Sequence, residues 1–145
     1  MPRGLWPALR GHYAIIGAHG RPDRLADQRE DMTYPVLVTR DEVKKFPVFS
    51  SLRLVVLLAC RAAGGENGEN IAAELSRHIA SDGLLIANRY TIIGTSYHYR
   101  AKNGLQGWVA YRNGRVVIPE EYFPVRITMK DIYDAFIKYR RGLIK

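Results

Sequence analysis

Arg53-Leu54-Val55-Val56-Leu57-Leu58-Ala59-Cys60 is the stretch on which the fold turns. Its apolar residues run from Leu54 to Cys60 without alternation, the pattern of a strand covered on both faces, as in a parallel sheet. Two further segments read the same way: Tyr13-Ala14-Ile15-Ile16-Gly17-Ala18 before it and Leu84-Leu85-Ile86-Ala87 after it. Between the second and third strands, Asn70 is placed as an N-cap, and Ile71, Leu75 and Ile79 follow at i, i+4 and i+8 on one helix face. This order of strands around a helix predicts a right-handed crossover and a parallel sheet. The charged stretch from Arg21 to Met32 reads as a surface loop, Pro35 to Thr39 as a short strand, and Asp41 to Phe46 as a helical turn.

The texture changes at Asn88. Ser96 to Ala101, Gly107 to Arg112 and Arg115 to Ile118 alternate apolar and polar residues, separated by Asn103-Gly104 and Asn113-Gly114. Asn-Gly supplies the two positive φ angles of a type I′ turn, so a three-stranded antiparallel meander is expected. A last helix starts at Thr128, with Asp131 completing a capping box and Ile132, Phe136, Tyr139 and Leu143 on one face. The expected fold class is α/β: a small, mainly parallel sheet flanked by helices, with a C-terminal antiparallel β-meander and a final helix. We expect one domain over residues 1–145, divided into a parallel core at 13–87, a basic meander at 88–127 and the helix at 128–145.

Composition narrows the function. The 145 residues are 47% hydrophobic and 25% charged, an ordinary globular balance. The longest apolar run, seven residues, is far short of the roughly twenty that cross a bilayer, so no transmembrane segment is expected. No cleavable signal is visible at the start. A single cysteine forms no internal disulfide, which points to a reducing compartment such as cytoplasm. His12, His19, His78 and His98 are scattered, and His19 with Asp23, Asp27 and Asp31 has no ligand spacing, so no metal is expected. Neither a GxxxxGK[ST] nor a GxGxxG motif occurs, and no cofactor is expected.

The net charge of +8 is unevenly placed. Up to Ala87, 11 Lys and Arg face 10 Asp and Glu; from Asn88 onward, 11 face only 4, in a part that also holds seven of the nine tyrosines. The basic half is therefore separate from the half that carries candidate chemistry.

That chemistry lies at two strand ends. In open α/β sheets, ligands bind beyond the carboxyl ends of the strands. Here one apolar strand delivers His19 and another delivers Cys60 to the same edge. A thiolate attacks a carbonyl carbon, and an imidazole can take its proton and pass it to a leaving amine. The N–H groups of Gly20 and Cys60 are candidates for the oxyanion hole. The bland alternative is a buried, inert cysteine and a structural histidine. Asp23, with Glu30 and Asp31, forms an acidic loop beside the cleft that can attract a basic substrate residue.

The motifs Ile15-Ile16-Gly17-Ala18-His19-Gly20 and Val55-Val56-Leu57-Leu58-Ala59-Cys60-Arg61-Ala62-Ala63-Gly64 resemble the caspase-like cysteine peptidases, closest in texture to those of bacterial effectors and of polymorphic or autoprocessing toxins. The resemblance covers roughly residues 13 to 95. It implies a caspase-like three-layer sandwich, Cys60 as nucleophile, His19 as acid and base, Gly20 and Cys60 as oxyanion donors, and a polypeptide substrate or self-cleavage. Family members carry one or two strands and helices before the His-bearing strand, whereas twelve residues precede Tyr13 here. A minimal version, a piece of a larger secreted effector, and a relative without catalysis all remain open.

Tyr97, Tyr99, Trp108 and Tyr111 fall among Arg100, Lys102, Arg112 and Arg115 in the expected hairpins. Such a surface can stack bases and hold phosphates, so nucleic acid is the partner in the second reading, a basic binding module. The plain alternative is that the alternation turns these aromatics into the core. The resemblance adds a third option, an anionic activator such as inositol hexakisphosphate on a basic hairpin. Arg61, Arg100, Lys102, Trp108 and Arg112 are the candidate substrate or activator contacts.

Overall fold

The structure is a computed structural model that describes residues 12–27, 33, 35–65, 69–94 and 98–142. In chain order its strands are β1 (Tyr13–Gly17), β2 (His19–Arg21), β3 (Arg24–Ala26), β4 (Val36–Thr39), β5 (Leu54–Leu58), β6 (Leu84–Asn88), β7 (Ile92–Gly94), β8 (Tyr99–Ala101), β9 (Trp108–Arg112) and β10 (Arg115–Ile118). Its α-helices are α1 (Arg40–Val43), α2 (Ile71–Ser76) and α3 (Met129–Arg140). The strands form a five-stranded sheet ordered β1-β5-β6-β9-β10, a three-stranded sheet β2-β3-β4 and a two-stranded ribbon β7-β8.

This overturns the expected helix-flanked, mainly parallel sandwich. β5 pairs in parallel with β1 and β6, but every other pairing is antiparallel: β6 with β9, β9 with β10, and all those of the two smaller sheets. The result is a mixed α/β fold with ten strands in three sheets and few helices among the described residues. The misreading has a physical cause. An uninterrupted apolar run reports only burial on both faces, and burial does not fix strand direction. β9 makes the point: Trp108, Val109, Ala110 and Tyr111 are all buried although β9 runs antiparallel to both neighbours.

Two cores cover the two faces of the central sheet. On one, Val55, Leu57, Leu85, Ala87, Val109 and Tyr111 pack with Ile71, Ala72 and Ala73 of α2, with Leu25 of β3 and with Val43. On the other, Leu54, Val56, Leu84, Ile86, Trp108 and Ala110 pack with Ile132, Ala135 and Phe136 of α3 and with Phe123 and Ile127. The first face is thus covered largely by a six-residue helix and a small sheet.

The first part of the charged stretch, to Ala26, is a hairpin rather than an open loop, and residues 28–32 lie outside the described residues. Pro22 and Asp23 turn β2 into β3, whose Leu25 and Ala26 are buried. The meander is also redrawn. β8 pairs with β7, and Asn103-Gly104 does not join two paired strands, whereas Asn113-Gly114 does join β9 to β10, with φ of 49° and 82°. Asn70 caps α2 by accepting from the Ala73 N–H at 2.8 Å, but the helix stops at Ser76, and Ile79 instead makes a bridge to Phe49. Thr128 and Asp131 close a reciprocal capping box on α3.

Candidate active site

Pairing between β1 and β5 is in register, Gly17 opposite Leu58, and the ladder continues with the Ala18 N–H donating to the Leu58 carbonyl at 3.2 Å. His19 and Cys60 each stand two residues beyond the last pair, so the two strand ends bring them to one edge of the sheet. Beyond Ala18 the chain crosses close over the end of β5. A Cβ built on Gly20 would lie 2.6 Å from the Cys60 carbonyl oxygen and 2.9 Å from the Ala59 Cβ. Only a glycine permits this approach without displacement of backbone.

The two-residue turn makes Arg21 and Arg24 the first hydrogen-bonded pair of the β2–β3 hairpin. Counting back along an antiparallel ladder, Gly20 occupies the non-bonded position, and its N–H faces away from β3. The Cys60 N–H has no backbone acceptor among the described residues. These are the two N–H groups that the sequence offered for an oxyanion.

Cys60 is a half-buried free thiol belonging to neither core cluster. Its Sγ faces the Ile92 carbonyl at 3.8 Å. Arg61, immediately after it, adopts φ of 57°, uncommon for a residue other than glycine or asparagine. That left-handed step lets the Arg61 N–H reach the Tyr90 carbonyl at 2.9 Å, while Ala63 bonds to the Asn88 carbonyl and Ala72 to the Ala62 carbonyl. The segment after the thiol is therefore pinned between the end of β6 and the start of α2.

His19 is exposed and lines a recess of about 340 Å³ with Gly20, Arg21 and Arg24. Cys60 does not line this recess. A second recess of about 340 Å³ is lined by Arg61, Arg89, Tyr90, Thr91, Lys102 and Asn103. Sequence reading named Arg61 and Lys102 but missed Arg89, Tyr90 and Thr91. They follow an apolar strand with no motif of their own, and the parallel pairing of β6 with β5 carries them to the edge where Cys60 lies.

The remaining candidates are dispersed. Asp23 is held by Arg24 through Nε at 3.1 Å and Nη2 at 2.9 Å, and these hydrogen bonds keep its carboxyl below the usual range. Its charge is thus already engaged; Glu30 and Asp31 lie outside the described residues. Arg100 donates to the Ala101 carbonyl at 3.2 Å. Arg112 ties β9 to its surroundings, donating to the Ser81 carbonyl at 2.8 Å and to the Tyr139 hydroxyl at 3.1 Å. Trp108 is fully buried and Tyr111 nearly so, which leaves neither a face on which a base or an activator can stack. Tyr99 packs against the second core, and Tyr97 lies outside the described residues. Among the described residues, no group of three or more His, Cys, Asp or Glu side chains comes together, and no helix is long and apolar enough to cross a membrane. Comparison of the chain with family models found no match, and comparison with curated proteins and with solved structures found no significant one.

Proposed function

We propose that the chain is a thiol hydrolase of the cysteine-peptidase type, acting on a polypeptide. The observation that carries this reading is the in-register pairing of β1 and β5, which sets His19 and Cys60 at equivalent positions beyond adjacent strands. Cys60 Sγ attacks the scissile carbonyl carbon after yielding its proton to the His19 imidazole. The negative charge formed on the carbonyl oxygen is taken by the N–H groups of Gly20 and Cys60. The C–N bond then breaks, the imidazolium returns the proton to the leaving amine, and water releases the acyl group from sulfur. In the resting state the thiol faces the Ile92 carbonyl, so a rotation about its Cα–Cβ bond precedes attack. Loose resting geometry of this kind is common in unliganded sites.

With the sandwich set aside, support rests on the two strand ends, the close approach of Gly20 and the left-handed Arg61. Incubation with a denatured protein such as casein, followed by labelling of new amino termini, tests the reading. Cleavage or self-cleavage is expected from the wild type and is lost in both Cys60→Ala and His19→Ala. Cleavage undiminished in Cys60→Ala contradicts it.

A further inference from the structure

A cavity of about 510 Å³ lies away from the strand edge. It lies between α1, α2 and the β9–β10 turn, and neither His19 nor Cys60 lines it. Its volume falls in the range of small-molecule sites. Four cations reach it: Arg40, Lys44, Arg77 and Arg115. Two carboxylates also line it, and their commitments decide its character. Glu74, buried, accepts from Arg77 at 3.1 Å and meets His78 at 3.2 Å, so Arg77 and Glu74 largely cancel each other. Glu69, largely exposed, approaches Arg40 only to 3.9 Å, and Lys44 pairs with exposed Asp41 at 3.2 Å. Such exposed pairs are weak and exchange readily for a better anion. Arg115 makes no ion pair among the described residues.

A second, independent observation comes from the cavity wall. Tyr111 is 97% buried, and its hydroxyl accepts a hydrogen bond from Asn70 Nδ2 at 3.0 Å. The hydroxyl's own proton has no acceptor among the described residues. Burial pushes the Tyr111 phenol up from its ordinary value, so the group stays protonated at neutral pH. The cavity wall thus presents an uncharged O–H beside three cations whose charge is not cancelled by a buried carboxylate.

We infer that this cavity binds a small molecule through a phosphate group, held by Arg40, Lys44 and Arg115 with the Tyr111 hydroxyl as an uncharged donor. A phosphate dianion offers acceptors enough for all four, and guanidinium groups match its oxygens in pairs. The site is independent of the proposed hydrolase chemistry.

The test is titration calorimetry on the full chain with inorganic phosphate and with glycerol 3-phosphate, at low salt. The wild type is expected to bind, with tighter binding of glycerol 3-phosphate if an ester is the ligand and equal binding if free phosphate is. Arg115→Ser is expected to weaken binding about tenfold and Tyr111→Phe about threefold to tenfold, in line with a lost charge-assisted or neutral hydrogen bond. Arg126→Ser, an exposed cation outside the cavity, is expected to leave binding unchanged. No heat with either anion, or equal weakening by Arg115→Ser and Arg126→Ser, overturns the inference. Because Tyr111 is buried, its variant counts only if its unfolding midpoint shows a folded protein; Arg115, on the surface of β10, supplies the deciding variant.

Discussion

Gly20 sits against the backbone of Cys60 so closely that a methyl group at position 20 would stand 2.6 Å from the Cys60 carbonyl oxygen. This contact locks the chain leaving β1 to the chain leaving β5, and it fixes where His19 stands relative to the thiol. Gly20→Ala must push one strand end away, at a cost of about 1–3 kcal/mol for overpacking. A lower midpoint in urea unfolding is expected, together with loss of any Cys60-dependent cleavage.

Gly114 is a second glycine with a specific task. Its φ of 82° completes the β9–β10 turn, and a Cβ there would run into the Arg77 guanidinium. Gly114→Ala is expected to destabilise by about 1 kcal/mol or slightly more, since left-handed backbone costs an L-residue about 1–2 kcal/mol and Arg77 can swing aside. Thermal unfolding measures it directly.

Glu74 holds two partners from a buried position on α2, Arg77 and His78. Glu74→Ala removes both interactions and opens space beneath the helix. The expected loss is about 1–3 kcal/mol, because Arg77 is half exposed and can return to water. Urea unfolding of the variant at pH 7 checks the figure, and an unchanged midpoint contradicts it.

Tyr111 gives an alkaline signature. Burial raises its pKa in the folded state, so the native protein retains a proton that the unfolded chain releases near pH 10. The Tyr111 contribution to stability is therefore complete below about pH 10 and is lost as pH rises through the folded value. Tyr111→Phe is expected to flatten the fall in unfolding free energy between pH 9 and about pH 11 relative to wild type; identical slopes contradict the assignment.

The sequence was most legible where local chemistry decides local structure. Asn70 and Thr128 cap helices through their own side chains, and Asn113-Gly114 takes the two positive φ angles that its turn needs. It was least legible where partners are distant. Trp108 to Tyr111 alternates weakly between apolar and amphipathic residues, yet both faces are covered, one by each core, and its neighbour is β6 rather than β8. Nothing local in Tyr99 to Ala101 says that it pairs with Ile92 to Gly94. Placement of His19 and Cys60 at one edge was legible, because both follow apolar strands; the orientation of the thiol toward Ile92 was not.

The central claim is that His19 and Cys60 form one chemical unit, and the rate of Cys60 alkylation by iodoacetamide at neutral pH tests it most directly. An imidazole beside a thiol draws off its proton as the sulfur attacks, so removing the base slows the attack. The account predicts that the wild type is alkylated markedly faster than His19→Ala under the same conditions. Equal alkylation rates for the wild type and His19→Ala would contradict it.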